Sequence, residues 1–422
     1  MVVRARHART RKGVHPAVTI HGTAWRPPRR RRRWVRRSAL GLAVLVLGTS
    51  GLAWAAYEKL NSNITADNDA ASELARYEKE RPTALAHGAQ NILIIGSDRR
   101  SGAGNGQYGR DSGTERSDTA ILLHLASNRR SATSVSLPRD LMVDVPDCRR
   151  PDGSRTRPVF TMFNHAFAAG GSACTVRTVE KLTNIRIDHF MVVDFNGFKE
   201  MVDALHGVTV CLKRPIDDKD ARLKLPAGRV TLDGEQALGY VRARKSLGNG
   251  SDTERMERQQ LFLGALVGKV RRNDVLLNPV TLYPVLDAAT SALTTDPSLA
   301  SLRGLYQLVR GLRNLGAEHV QFLTVPRTPY PGDANRDQLV QPQARNLFAR
   351  LRADQPVEVT KEVPADSPGE TSDKAGGFGD GPESYDNGMS GGKAPVGPGV
   401  PRRSPEPPPT FRGNTAAQDA CG

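Results

Sequence analysis

The chain has 422 residues and a formal net charge of +16, placed unevenly. Residues 1–57 hold thirteen Arg and Lys and no Asp or Glu; sixteen less thirteen leaves +3, so the main body is close to neutral. Its four cysteines include no C-x-x-C pair, which argues against a zinc site, and no aromatic residues interleave with the N-terminal arginines as a nucleic-acid stacking platform would need.

The basic segment 1–37 is followed by residues 38–57, which carry no charge. A run of roughly 20 apolar residues crosses a bilayer core of about 30 Å. Trp34 and Trp54 flank it as interfacial aromatics, and arginines on one side only place the N-terminus in the cytoplasm and the remainder outside. The alternative is a cleaved signal peptide, with Ala53, Ala55 and Ala56 as small residues near its end. The arginine run reads as a topology determinant, with nucleic-acid binding as the other reading. Residues 58–88 are polar and alanine-rich and read as a stalk.

From 89 to 355 strand and helix signals alternate, the pattern of one α/β domain. Residues 91–95 are an unbroken apolar run ending at Gly96, hence a buried strand. Its exit carries Asp98, Arg99 and Arg100, and a glycine-rich loop (102–113) leads to Arg116 and Asp118. A second strand (119–125), a short turn (126–130) and a third strand (Ala132–Leu137) follow, the last leaving at Pro138-Arg139-Asp140. The short connection makes strands two and three a hairpin, so Asp118 and Arg139 share one edge. If strand two also runs antiparallel to strand one, Asp98 joins them.

Further on, 188–195 reads as a strand, 197–205 as a helix and Val208–Leu212 as a strand. After a turn at Asp233-Gly234, a short element (236–241) leads to Arg242 and Arg244. Alternation on a strand would point both arginines to one face, which is unfavourable unless an anion lies between them. The helix after Asp252 has Ser251 and Glu254 as a capping box, and its free N–H groups favour an anion. Arg255, Gln259, Phe262 and Leu266 fall on one stripe of it. Helices are expected at 299–315 and 342–351, and a strand at 320–325. Residues 356–422 are rich in Pro, Gly and acidic residues and read as a disordered tail.

Arginine matches phosphate geometry with a planar fork. Asp98 and Asp118 are candidates for Mg2+, which takes one or two carboxylates plus substrate phosphates; turn capping or pairing with arginine is the ordinary alternative. There is no G-x-S-x-G and no histidine placed to activate a nucleophile. Arginines with a divalent cation and no nucleophile point to phosphoryl chemistry. Cys148 with Cys174 is the preferred disulfide, since both sit in loops on the outer side, and Cys211 reads as a buried free thiol.

Several blocks then carry a resemblance: Asn91-Ile-Leu-Ile-Ile-Gly-Ser-Asp98-Arg-Arg100, Arg116-Ser-Asp118-Thr119, Ser136-Leu-Pro-Arg139-Asp140, Phe163-Asn164-His-Ala166 with Gly170-Gly171, Asp194-Phe195, and Arg242-Ala-Arg244 with Asp252, Arg255 and Gln259. In that order, over about residues 90–272, they resemble the LytR-CpsA-Psr family, particularly members from high-GC Gram-positive bacteria. The resemblance implies a three-layer α-β-α arrangement around a central mixed sheet, preceded by one transmembrane helix. It implies a Mg2+-dependent phosphotransferase (Mn2+ as the substitute metal) at the outer membrane face. Such an enzyme moves a glycopolymer from a polyprenyl-diphosphate carrier to the 6-hydroxyl of N-acetylmuramic acid in peptidoglycan. Carried over residue by residue, Asp98 and Asp118 hold the metal, and Arg100, Arg139, Arg242, Arg244 and Arg255 clamp phosphate with Gln259 orienting. Arg139, Asp118 and Arg244 are the catalytic set. Met162 departs from the lysine of many relatives, and Lys245 adds a charge beside the arginine pair. The competing readings are a non-enzymatic envelope module that binds lipid-linked polyanions, and a membrane-bound transcriptional attenuator.

Overall fold

The computed structural model describes residues 29–83, 88–97, 117–150, 152–219, 221–243, 252–270, 278–312, 315–360 and 410–418. The chain forms two compact units, residues 1–56 and 57–422. Helix α1 (Arg29–Asn63) contains a stretch, Trp34–Asn63, long and apolar enough to cross a membrane.

The second unit continues with β1 (Thr65–Ala66), α2 (Asn68–Arg76), β2 (Gln90–Ser97), β3 (Ser117–Leu125), β4 (Ala132–Leu137), β5 (Met142–Val145), β6 (Val159–Met162), α3 (His165–Thr183), β7 (His189–Asp194) and α4 (Phe195–Ala204). Next come β8 (Val208–Leu212), β9 (Ile216–Asp218), β10 (Leu223–Leu225), β11 (Gly228–Leu232), α5 (Gly234–Arg242), α6 (Asp252–Val270), α7 (Pro279–Ser291), β12 (Leu293–Thr295) and α8 (Leu302–Leu312). The last elements are β13 (Val320–Thr324), β14 (Arg327–Tyr330), β15 (Asp333–Leu339), α9 (Gln343–Arg352), β16 (Glu358–Thr360) and β17 (Thr410–Thr415).

The main sheet is mixed, in the order β1-β12-β7-β2-β3-β4-β13-β17-β16. β2, β3 and β4 run antiparallel in sequence, while β7 lies parallel to β2 and β13 parallel to β4. Side chains alternate across the two faces of a strand. Leu93, Ile95, Leu122, Val135 and Leu323 pack on one face with residues of α2, α3 and α9. Ile92, Leu125 and Phe322 face the other way, with Leu263 of α6 and Leu308 of α8 against them. The sheet is thus covered on both faces, giving the three layers expected, and this explains why β2 reads as a continuous apolar run. A second core joins Val202 of α4, the β8–β11 and β9–β10 hairpins, Tyr240 of α5 and Phe262 of α6.

Three expectations change. Residues 58–88 do not form a separate stalk over their described part. Leu60 and Ile64 are buried, β1 pairs with β12, and Ala70 and Leu74 of α2 enter the main core. Arg81 donates to the buried Glu180 and to the Ile187 carbonyl, tying the segment after α2 to the domain. The polar composition misleads because ion pairs, rather than apolar area, fasten much of this segment.

The tail is not devoid of structure either: β16 and β17 extend the sheet, β17 running antiparallel to β13, and Phe411 and Val357 are buried in the main core. A sheet edge supplies backbone partners to a segment with little apolar content of its own. Lastly, Cys148 and Cys174 form the expected bridge, but Cys211 is disulfide-bonded rather than a free thiol. A strand position in a buried core suits a bridged cysteine as well as a thiol.

Candidate functional site

The edge inferred from hairpin geometry is present. β2 and β3 are antiparallel, with Gly96 opposite Thr119 and, past a bulge, Ser97 opposite Ser117. Ala120 stands opposite Leu137 across the β3–β4 hairpin, and Ser97 stands beside Asp194 at the end of β7. The end of β2, the start of β3 and the ends of β4 and β7 therefore meet at one side of the sheet, the carboxyl end of its parallel strands, where open α/β sheets bind ligands.

Arg139 lies in the turn after β4. Its Nη1 donates to Asp118 Oδ1 at 2.8 Å and its Nε to Asp140 Oδ2 at 3.3 Å. The Arg139 carbonyl accepts from Asn164 N at 3.0 Å, and Leu141 O accepts from Phe163 N at 2.8 Å. The Phe163-Asn164 block therefore serves as the backbone brace of the arginine turn. Behind it, α3 breaks at Gly170-Gly171. Gly171 has a φ of +58°, and a Cβ at Gly170 would lie 2.8 Å from the Arg149 carbonyl, so glycine is needed at both positions for different reasons.

The second half arrives on α5 and α6. Arg242 is the last residue of α5 and its guanidinium lies 4.8 Å over the Phe195 ring, one residue beyond Asp194. This corrects the strand reading of the Arg242 segment. Asp233 and Gln236 form a full capping box, and Ala237, Leu238 and Tyr240 bury one side of a helix. Same-face alternation of Arg242 with Arg244 therefore has no basis, and Arg244 lies outside the described residues, as do Asp98, Arg100 and the Ser251 cap.

Gln259 joins the two halves. Its Nε2 donates to Val241 O at 3.1 Å and approaches Thr119 Oγ1 at 3.4 Å, the long end of a hydrogen bond. One side chain of α6 thus touches the residue before Arg242 and the residue after Asp118. Arg255, one turn earlier on α6, is buried. Arg258, whose role sequence reasoning missed, donates through Nη2 to the Ala243 carbonyl and fixes the chain leaving α5. Tyr240 is also buried, and burial pushes its phenol up to about 12, Arg258 pulling the other way and Glu257 adding to the rise; it stays neutral at any working pH. Thr119, Phe195, Asp140 and Ser97 are further neighbours that sequence reasoning assigned no role. All four sit inside the quoted motifs, which was the available signal.

For a hard cation, the described donors at this edge are oxygen ligands. Asp118 engages Arg139 through Oδ1. Ser97 Oγ is buried at the same edge without a hydrogen-bond partner, the condition a cation-bound water or a phosphate oxygen would relieve. Among the described residues no group of three metal-binding side chains occurs. One described carboxylate, Asp118, and the Ser97 hydroxyl are a donor set that Mg2+ would accept only with a diphosphate supplying further oxygens.

Fold and site together define an α/β domain that gathers arginine, carboxylate and amide groups at the carboxyl ends of its parallel strands. The LytR_cpsA_psr family model matches residues 60–353, and the chain belongs to that family. It is 30% identical over 319 residues to the cell wall biosynthesis protein LcpA of Corynebacterium glutamicum, covering 69% of this chain and 59% of that protein. To TagT of Bacillus subtilis, named a polyisoprenyl-teichoic acid–peptidoglycan teichoic acid transferase, it is 30% identical over 298 residues, covering 68% and 85%. The chain spans between half and three fifths of the length of LcpA and of the related LcpB. A crystal structure of the protein gbs0355 from Streptococcus agalactiae has the same fold, with a TM-score of 0.53 and 21% identity over 65% of this chain and 92% of that one.

Proposed function

We propose that this protein is a phosphotransferase that moves a glycopolymer from a polyprenyl-diphosphate carrier to the 6-hydroxyl of N-acetylmuramic acid in peptidoglycan. The observation that carries the reading is the junction made by Gln259. It brings the Asp118–Arg139 pair and the Arg242 helix end to one side of the sheet. Membership of the family and the activity named for TagT support the same reading.

In this account the muramic hydroxyl attacks the phosphorus that bears the glycan, and its proton ends on the departing polyprenyl phosphate. The P–O–P bond breaks, and polyprenyl monophosphate leaves with the bonding electrons. A phosphodiester then joins glycan to muramic acid. Arg139 and Arg242, with Arg100, Arg244 and Arg255, hold the phosphate oxygens, and Gln259 keeps the two sets of arginines in register. Fixed guanidinium forks stabilise the charge that builds on the transferring phosphoryl group. Asp98 and Asp118 would hold Mg2+, which when bound neutralises charge on the diphosphate. Asp118 also orients Arg139, a role the 2.8 Å ion pair supports directly.

The apolar segment of α1 anchors the protein as a single-pass membrane protein, and the arginines before it keep the N-terminus cytoplasmic with the domain outside. The test is turnover by the full-length protein in detergent, with a polyprenyl-diphosphate-linked oligosaccharide as donor and a muramic-acid glycan as acceptor. Formation of the phosphodiester is the expected result. Tight donor binding with no product would instead make the protein a binding module.

A further inference from the structure

Outside the edge just described, one surface combines exposed aromatic side chains with a direct backbone link to the site. In the β5–β6 hairpin, Met142 stands opposite Met162 and Asp144 opposite Phe160. These four share the outer face, since Val143 and Val145 of the alternate positions are buried in the core. Phe160 is 51% exposed, an unusual state for a phenylalanine on a strand. The Tyr330 ring from the β14–β15 hairpin meets it at 6.1 Å between centroids, tilted by 53°. Arg336 of β15 reaches Met142 Sδ at 3.9 Å, closing the strip on that side.

Both hairpins are fixed to the Arg139 turn. Phe163, directly after β6, donates to Leu141 O, and Asp337 of β15 donates to Asp140 O. The outer strip therefore starts at Met162, one residue from the brace, and runs outward. From Arg139 to the Asp144–Phe160 row is five residues, at most about 17 Å of extended strand. That reach fits a short oligosaccharide whose end residue sits at the phosphate edge.

We propose that this strip is an acceptor subsite on which an uncharged glycan strand lies, its sugar rings against Phe160 and Tyr330. The proposal rests on the transferase reading. A pyranose ring has apolar C–H faces and a polar rim. The strip offers the matching pattern, two aromatic rings and two methionines bordered by Asp144, Arg336 and Asp333. At its border Asp144 disfavours an anionic polymer or an anionic bilayer, while Asp333 is offset by its 2.9 Å ion pair with Arg336, and the half-exposed methionines make the strip softer than a polar surface. Asp333 is held below the usual carboxylate range by hydrogen bonds from the Asn335 N–H and from Arg336, so it remains charged. Met162 belongs to this apolar strip.

The experiment uses the full-length protein in detergent and peptidoglycan glycan strands whose stem peptides are removed and whose freed lactyl carboxylates are capped as methylamides, so that the strand is uncharged. Phe160→Ser and Tyr330→Ser alter exposed or half-exposed side chains and leave the core intact. Each should weaken strand binding, and raise the acceptor KM, about ten-fold. The donor KM should stay unchanged, and Phe160→Trp should retain affinity. Unchanged strand binding and acceptor KM in both serine variants would overturn the subsite. So would an equal loss of binding to anionic lipid vesicles or to free teichoic polymer, since the strip would then serve another partner. Strand binding that depends on Phe160 in a protein that never turns over would remove the transferase reading and leave a glycan-binding face. Normal turnover with an unaltered acceptor KM would remove the subsite alone.

Discussion

Replacing Arg139 by alanine separates a role in holding the fold from a role in holding phosphate. In the structure its guanidinium bonds Asp118 and Asp140, and the side chains of Arg139 and Asp118 are 21% and 29% exposed. Half-exposed ion pairs of this kind contribute up to about 1 kcal/mol each, less after screening. The stability cost of Arg139→Ala is therefore expected to be about 1 to 2 kcal/mol, which a two-state domain of ordinary stability survives. An arginine that acts on a transferring phosphoryl group is worth at least about 10³ in rate, roughly 4 kcal/mol. The two costs differ enough to be told apart. Denaturant unfolding and single-turnover transfer should be measured on the same preparations, together with Arg139→Lys, which keeps the charge and loses the planar fork. The expected order of transfer rates is wild type, then lysine, then alanine, with near-native unfolding for both variants. A transfer loss under ten-fold in Arg139→Ala, or one that simply tracks lost stability, would refute the phosphate role.

Other consequences are equally direct. Cys148 and Cys174 close a loop with a sequence separation of 26, so replacing both by serine should cost about 3.5 kcal/mol in the chain-entropy account; a change below about 1 kcal/mol would mean the brace behind Arg139 does not depend on the bridge. Phe411→Ala should destabilise the domain by about 3 to 5 kcal/mol, because the ring is buried in the main core; a surface-like effect within about 0.5 kcal/mol would mean β17 is dispensable. Asp296 is held below its ordinary value of 3.8: burial opposes this, but bonds from His189, Ser298 and the Phe190 N–H outweigh it. The stability it contributes is full above 3.8 and is lost as pH falls through the lower folded value, so Asp296→Asn should flatten the acid limb of the unfolding profile. An unchanged acid limb would contradict that linkage. Mg2+ added to the donor-free protein should leave the melting temperature unchanged and raise it once the diphosphate donor is present, with chelator abolishing turnover; a large shift from Mg2+ alone would place the metal in a site built wholly from protein.

The central strands were legible because their signal is local. β2 is apolar from Ile92 to Ile95 since both sheet faces are covered, and the short connection between β3 and β4 admits little but a hairpin. The Asp118–Arg139 pairing followed from that geometry. What was not legible depended on distant partners. β17 has one core side chain, Phe411, and becomes a strand by pairing with β13, which precedes it by some ninety residues. The segment after α1 is polar in sequence, yet Arg81 fastens it to Glu180, 99 residues further on. α3 carries Gly170-Gly171 in its middle, which weakens any helical pattern. Gln259 showed its helix stripe in the sequence, but its contact with Thr119 joins residues 140 positions apart, which only the fold could bring together.

The most direct measurement follows the fate of one phosphorus. A polyprenyl-diphosphate oligosaccharide labelled with 32P at the phosphate bonded to the glycan is incubated with the full-length protein, Mg2+ and a muramic-acid glycan. The account predicts that the label moves with the oligosaccharide into a muramic 6-phosphodiester, releasing unlabelled polyprenyl monophosphate. Label that remains on the lipid while the sugar transfers, or that appears as free sugar phosphate in the presence of acceptor, would contradict it.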